Sequence, residues 1–144
     1  MRALGIDLGT KRIGVAVSDR SGTIASPLTV LQRSGSTRRD HQAIAALVAE
    51  EEAELVVVGL PLNMNGTLGP AAKAAVTEAD ALATVVDVPV ITFDERRTTV
   101  TADRALMEAR IGAKDRRKYV DKVAAAVMLQ TWLDSPAGAQ ERGR

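Results

Sequence analysis

The sequence predicts an α/β fold in which three antiparallel strands and two parallel strands form one mixed five-stranded sheet, with helices on both faces. Two observations support this. Near the start of the chain, apolar residues alternate with small or polar ones at a period of two, which is typical of strands joined by short turns. From about residue 36 onward, helical spacing alternates with short β-branched runs, which is typical of strands joined by helical crossovers.

The first three strands are predicted from alternation. Apolar residues occupy every second position in 4–8 and again in 13–17, and the turn between these runs contains Gly9. A third strand is predicted over 23–31, where Pro27 indicates an edge position or a bulge. Short connections between consecutive strands make this segment an antiparallel meander.

Helices and strands alternate in the middle of the chain. Ser36 can cap a helix that runs to about Glu52, and the apolar run 55–58 is typical of a strand buried on both faces. A second helix is predicted over 70–83, because proline suits the first helical position. The β-branched run 88–93 predicts the fifth strand.

Two further helices are predicted in the last third of the chain. One extends from about 98 to 110, and the other, over about 120–133, follows a basic loop at 114–118. Residues 135–144 are rich in Pro, Gly and charge, and we expect a disordered tail there. We therefore expect a single domain over residues 1–134.

Composition excludes several classes of protein. The 144 residues are 46% hydrophobic and 26% charged, which is ordinary for one globular domain. The chain has no cysteine, so a disulfide framework, a thiolate zinc site and a cysteine nucleophile are excluded. Aromatic residues make up 2%, so base stacking can be only a minor binding mode. No signal peptide or membrane span is recognisable, and we expect a soluble cytoplasmic protein with no membrane partner.

Charge is distributed unevenly along the chain. The net charge is +1, but residues 96–122 contain nine basic and four acidic side chains. This segment suggests a basic face for a polyanion such as nucleic acid, although a solvated charged loop explains the counts equally well.

Asp7 lies in a predicted buried strand, where a carboxylate is costly unless something pairs with it. Its own face carries Gly5 and Gly9, and the next strand contributes Gly14 and Ala16, so bulky side chains are absent around it. We expect this space to suit a metal ion and a phosphate. The alternative is a turn aspartate that caps the hairpin.

Two other carboxylates can converge on the same region. Glu95, next to Asp94, follows the fifth strand at the carboxyl end where ligands collect in α/β sheets, and Asp121 lies in the first turn of the last helix. Helix-end electrostatics or capping is the alternative role for each. Oxygen ligands without His or Cys select Mg²⁺ or Mn²⁺ over zinc. Two such ions roughly 4 Å apart can activate water and clamp a phosphodiester.

Four motifs occur in order along the chain. They are GIDLGTKRIGVAVSD (5–19), VVGLPLNMNGTLGPAA (57–72), DERRTTVTA (94–102) and VDKVAAAVMLQTWLD (120–134). From residue 3 to about 134 the chain resembles the YqgF-type family, which is described as pre-16S rRNA nucleases or Holliday-junction-resolvase-like proteins. The resemblance implies an RNase H-like fold, in agreement with the predicted sheet.

The resemblance also implies site residues. It gives Asp7, Glu95 and Asp121 as the catalytic, metal-binding carboxylates, the same three that the chemistry selects. It further suggests that the loop 63–69 lines a substrate groove. The residues expected to bind nucleic acid are Lys11, Arg12, Asn63, Arg96, Arg97, Lys114, Arg116, Arg117, Lys118 and Lys122. His41, the only histidine, is expected to be exposed and without a catalytic role.

The preferred hypothesis is a nuclease that uses Mg²⁺ or Mn²⁺ and acts on structured nucleic acid. Its first expected substrate is the 5′ end of precursor 16S ribosomal RNA. The second is a four-way DNA junction, for which a symmetric homodimer is expected because two strands are nicked in concert. Two other classes stay open. The segment 7–11 resembles a phosphate loop of actin-like ATPases, which need two such lobes, and a non-catalytic ribosome or nucleic-acid-binding factor would use only the basic face.

Overall fold

The computed structural model describes residues 1–94 and 113–143, and of residues 113–119 the backbone alone. Five strands in this part of the chain form one sheet in the order β3-β2-β1-β4-β5. They are β1 (Ala3–Leu8), β2 (Arg12–Ser18), β3 (Ala25–Gln32), β4 (Leu55–Leu60) and β5 (Val90–Asp94). β1 pairs antiparallel with β2 and parallel with β4, β2 pairs antiparallel with β3, and β4 pairs parallel with β5. The predicted mixed sheet is confirmed.

The third strand shows both features that its proline indicated. β3 lies at one edge of the sheet, and its register with β2 shifts between Val15 and Ala16, opposite the segment that contains Pro27. The strand begins two residues later than predicted. The reason is that Asp19 accepts hydrogen bonds from the amides of Thr23 and Ile24, at 2.8 and 3.2 Å, which keeps those residues in the preceding turn.

The described residues contain four helices: α1 (Thr37–Glu50), α2 (Pro70–Ala83), α3 (Ala113–Leu133) and α4 (Pro136–Arg142). Ser36 caps α1 as predicted, since its side chain accepts a hydrogen bond from the Arg39 amide at 3.3 Å. α1 ends before Glu52 because that residue has a φ of 52°, in the left-handed region. α2 has the predicted bounds. The helix predicted over 98–110 lies outside the described residues.

Two predictions for the last third of the chain are wrong. Residues 114–118 were predicted to form a loop, but their backbone belongs to α3, because lysine and arginine favour helix and no glycine or proline interrupts them. Residues 136–142 were predicted to be disordered, but they form α4. Ser135 caps this helix. Gly138 packs against the carbonyl oxygens at the end of α3, where a Cβ atom would collide with them. Arg142 also donates to the Leu133 carbonyl oxygen at 2.6 Å.

Each face of the sheet is covered by helices, as predicted. On one face, Leu4, Ile6 and Val15 pack with apolar residues of α1 and α2. On the other face, Ala3, Ala16 and Val57 pack against α3, including the fully buried Trp132. Every helix in the described ranges is too short or too polar to span a lipid bilayer.

Candidate active site

Asp7 lies near the carboxyl end of β1, on the face that α3 covers. Alternation along the strand places it on the same face as Ala3, which packs against that helix. Its partner across the antiparallel pair is Gly14 of β2. The side chain is half-buried, so Asp7 lies at the boundary between the packed sheet and solvent.

Asp121 lies in α3, directly over Gly14. A Cβ atom at Gly14 would collide with the backbone carbonyl oxygen of Asp121, so the helix reaches the sheet only because this residue is glycine. Since Gly14 is also the strand partner of Asp7, both acidic residues adjoin the same position. The structure therefore brings two of the three predicted carboxylates together at one end of β1.

The surface around Gly5 and Gly14 is not the open space that was expected. A Cβ atom at Gly5 would lie 2.8 Å from the Cβ of Leu129, so α3 fills the space above both glycines. Small residues on a sheet suit a ligand or a closely packed helix equally well, and here the helix takes the space. This face becomes more accessible further along, from Asp7 near the end of β1 to the turn at 9–11, where Thr10 and Lys11 are exposed.

Arg12 binds one of the predicted metal ligands. Its Nε donates to Asp121 Oδ2 at 2.6 Å, and the two side chains are 21% and 23% exposed. Arg12 was predicted to contact nucleic acid, and in this structure its guanidinium forms an ion pair with Asp121. A divalent ion coordinated by the same carboxylate would compete with this guanidinium for the negative charge.

The two predicted metal ligands that the structure describes have the chemistry that a hard divalent cation prefers. Asp7 and Asp121 offer only oxygen ligands, the kind that Mg²⁺ and Mn²⁺ prefer, and Asp121 already holds a positive charge. Among residues 1–94 and 113–143, no group of three potential metal ligands comes together. The predicted third ligand, Glu95, lies outside the described residues, as do Arg96 and Arg97.

The other predicted nucleic-acid contacts differ in their surroundings. Lys11 is exposed in the turn between β1 and β2, and Lys122 is half-buried next to Asp121. Asn63 is exposed, and its side-chain amide nitrogen donates to Thr67 Oγ1 at 3.0 Å, so that it closes its own loop. The side chains of Lys114, Arg116, Arg117 and Lys118 lie outside what the structure describes.

The prediction that His41 is exposed is wrong. The side chain is 2% exposed, and its Nε2 lies 2.9 Å from Glu78 Oε2. His41, Ile44 and Val48 follow one another at helical spacing and share the buried face of α1. That spacing is the signal that could have placed the histidine inside.

The sequence analysis missed a cluster of charged residues around Arg33. Both terminal nitrogens of this arginine donate to the Glu78 carboxylate, at 2.6 and 2.9 Å, and Asp40 lies 3.6 Å away. Burial raises the pKa of Glu78, but hydrogen bonds from Arg33 and His41 outweigh it and hold this pKa below its usual value. No motif marks the cluster, because its members come from the end of β3 and from two different helices.

Comparison with known proteins identifies relatives of this chain. A family model described as RuvX, Holliday junction resolvase, matches residues 1–135. A curated protein of Thermoanaerobacter pseudethanolicus is 46% identical, over 94% of this chain and 97% of its own length. One of Myxococcus xanthus is 48% identical, over 94% of this chain and 89% of its own length. Both carry the name "Putative pre-16S rRNA nuclease".

Solved structures show the same fold. The Thermus thermophilus RuvC protein in complex with a Holliday junction substrate matches with a TM-score of 0.60 at 18% identity, over 95% of this chain and 98% of its own. The fowlpox virus Holliday junction resolvase matches with a TM-score of 0.50 at 11% identity, over 99% of both chains. These likenesses confirm the RNase H-like fold. Because the family model spans residues 1–135 and the curated relatives match over nearly the whole chain, the protein belongs to the RuvX family.

Proposed function

We propose that this chain is a divalent-metal-dependent nuclease that hydrolyses phosphodiester bonds in structured nucleic acid. The observation that carries the proposal is that Asp7 and Asp121 both adjoin Gly14, near the carboxyl end of β1, in a member of the RuvX family. A non-catalytic binding factor would have no need of two carboxylates in the path of a polyanion, which they repel unless a cation lies between.

The reaction is the hydrolysis of a phosphodiester. The oxygen of water forms a bond to phosphorus, the bond to the leaving sugar oxygen breaks, and that oxygen takes a proton. Asp7, Asp121 and Glu95 would hold the cation, which when bound supplies Lewis-acid stabilisation of the negative charge that develops on the phosphate. Arg12, which donates to Asp121 from the adjacent strand, would offer its other guanidinium N–H groups to a phosphate oxygen.

Cations around the site would hold the nucleic acid backbone largely without reading its sequence. Lys11 is exposed in the turn that follows Asp7. The basic residues at 114–118 lie on the first turns of α3, the same helix that carries Asp121, so the helical backbone keeps them at the same end of the helix. Their number favours an electrostatic hold on phosphates.

Precursor 16S ribosomal RNA, at its 5′ end, is the substrate we place first, because the curated relatives carry that name. A cytoplasmic location is part of this proposal. The description of the family model favours a four-way DNA junction as the second substrate. For that substrate we expect a symmetric homodimer, since concerted nicking of two strands needs two sites.

The test offers both substrates to the wild type and to Asp7→Asn, in Mg²⁺, Mn²⁺ or EDTA. Asp80→Asn is the matched control, since Asp80 is an exposed carboxylate on α2. We expect metal-dependent cleavage by the wild type and the control, and cleavage close to background by Asp7→Asn with nucleic acid binding retained. Full activity of Asp7→Asn would contradict the metal site, and binding without cleavage by the wild type would favour a non-catalytic factor.

A further inference from the structure

The turn between β1 and β2 is held by Arg33, which follows the end of β3. The backbone amide of Arg33 donates to the Lys11 carbonyl oxygen at 2.9 Å, and its side-chain Nε donates to the Gly9 carbonyl oxygen at 3.0 Å. The turn itself is closed by the Gly9 amide, which donates to the Arg12 carbonyl oxygen at 3.0 Å. One residue thus binds both sides of the turn, once through its backbone and once through its guanidinium.

A cavity lies between this turn and α2 in the part of the chain that the structure describes. It is open, has a volume of about 250 Å³, and its lining includes Gly9, Thr10, Arg33, Ala74 and Glu78. Thr10 and Lys11 are themselves exposed. Among the described residues, the hydrogen bonds from Arg33 therefore tie this turn to the end of β3.

The guanidinium of Arg33 is in turn fixed by carboxylates. Its two terminal nitrogens form a bidentate pair with Glu78, which leaves Nε aimed at Gly9. Asp40 lies 3.6 Å from the same guanidinium, and His41 contacts Glu78 at 2.9 Å. A lysine could not replace this arrangement, because a single ammonium cannot reach both Glu78 oxygens and the Gly9 carbonyl oxygen in fixed directions.

The turn connects two residues of the candidate site. Asp7 lies two positions before Gly9, and Arg12 directly follows Lys11, so a shift of the turn moves both. We propose that Arg33 is a positioning residue, which fixes Asp7 and Arg12 by clamping the turn 9–11, and that Glu78 acts by holding Arg33. The proposal rests on the proposed nuclease function for its effect on catalysis, but its effect on the turn is independent of that function.

The first experiment compares Arg33→Lys and Arg33→Gln with the wild type. We expect amide hydrogen exchange at Gly9 to accelerate by at least about tenfold, because the closed turn opens locally. We expect kcat on the preferred substrate to fall about tenfold to a hundredfold, since small misplacements of reacting groups have effects of this size. KM should stay within about threefold of the wild-type value, because Lys11 and the other basic residues are unchanged and still bind the nucleic-acid backbone.

Arg2 provides the matched control. It forms a partly buried ion pair with Glu51 at 3.4 Å, at the opposite end of β1 from the turn. Arg2→Lys and Arg2→Gln should change thermal stability but leave exchange at Gly9 and kcat unchanged. If the Arg2 variants lower kcat as much as the Arg33 variants do, Arg33 acts only through general stability and the proposal is overturned.

A second experiment tests the role of Glu78. If Glu78 acts through Arg33, Glu78→Gln should accelerate exchange at Gly9, and Arg33→Gln/Glu78→Gln should lose no more kcat than Arg33→Gln alone. Additive losses in the double variant would overturn the assignment. Glu78→Gln also serves if the Arg33 variants do not fold.

The two proposals fail in different ways. If the wild type cleaves nothing, the nuclease function fails, and exchange at Gly9 still decides whether Arg33 holds the turn. If the wild type cleaves and the folded Arg33→Gln variant keeps both its exchange rate at Gly9 and its kcat, the positioning role is wrong while the nuclease stands.

Discussion

Two arginine–carboxylate contacts flank the turn between β1 and β2, and they differ in how firmly they are made. Arg12 contacts Asp121 through a single hydrogen bond from Nε, with each side chain about one fifth exposed. Arg33 contacts Glu78 through two hydrogen bonds, with side chains 17% and 16% exposed, and has Asp40 beside it. Because the first contact has one hydrogen bond and the second has two, we expect the second to be the more persistent.

This difference suggests a division of labour. The Arg12–Asp121 contact involves a predicted metal ligand, so a divalent ion held there would compete with Arg12 for the carboxylate. The Arg33–Glu78 contact touches no predicted ligand, but it holds the backbone that carries Asp7 and Arg12. If Asp121 holds a metal ion as proposed, the Arg33–Glu78 contact would keep the turn in place while the Arg12–Asp121 contact changes.

The largest effect is expected for Asp121→Asn. The amide is a weaker ligand than the carboxylate. Because loss of a residue that only supports a metal ligand already costs up to about a hundredfold, turnover should fall by more than about a hundredfold. The measurement is the single-turnover rate of cleavage in saturating Mg²⁺. Asp134→Asn, an exposed carboxylate at the end of α3, is the control, and an active Asp121→Asn would remove the metal role from this contact.

For folding stability we expect the reverse order, with a larger effect at the Arg33–Glu78 contact than at the Arg12–Asp121 contact. Glu78→Gln weakens a partly buried pair and leaves the Arg33 charge less compensated, which should cost about 1–3 kcal/mol of unfolding free energy. Asp121→Asn should cost less than about 1 kcal/mol, because single, partly exposed pairs contribute little. Urea unfolding of both variants measures the difference, and equal losses would mean that the two contacts are alike.

Low pH should reduce the folding stability that the Arg33 cluster contributes. Burial raises the pKa values of Glu78 and Asp40, but hydrogen bonds and the Arg33 charge outweigh it and hold both below their usual values of 4.5 and 3.8. The unfolded chain therefore takes up protons at a higher pH than the folded one. The cluster contributes its full stability at a pH above the pKa values that these carboxylates have in the unfolded chain. This contribution is lost as the pH falls through their pKa values in the folded protein.

Urea midpoints between about pH 6 and pH 3 test this dependence on acid. Glu78→Gln should show a shallower decline than the wild type over that range, since one of the two shifted carboxylates is gone. Glu141→Gln, in α4 and away from the cluster, should follow the wild type. A wild type and a Glu78→Gln variant with identical slopes would show that Glu78 takes no part in the acid response.

The smallest effect is expected for Arg12→Gln. Without the guanidinium, a divalent ion no longer competes for Asp121, so the dissociation constant for Mn²⁺ should fall by up to about fivefold, the value of a partly exposed ion pair. Titration calorimetry of the free protein measures this. Lys11→Gln removes a neighbouring charge that has no described contact with Asp121, and it should change the dissociation constant less. Weaker Mn²⁺ binding by Arg12→Gln would mean that Arg12 supports the metal site.

The sequence by itself determined the order of the five strands, α1 and α2, and the bounds of α2, because alternation, helical spacing and a proline at a helix start are local signals. It also singled out Asp7, since a carboxylate in an apolar strand stands out without any structure. The family resemblance was equally available, because four motifs lie in order over nearly the whole chain.

Only the tertiary structure decided what these residues contact. Arg12 and Asp121 are 109 positions apart, and Arg33 and Glu78 are 45 apart, so no local pattern pairs them. The glycines at 5 and 14 were compatible with either an open ligand space or a packed helix, and the packing of α3 decided between the two. The reason is physical: local spacing determines which face of an element is apolar, whereas the element that covers this face is selected by packing across the whole fold.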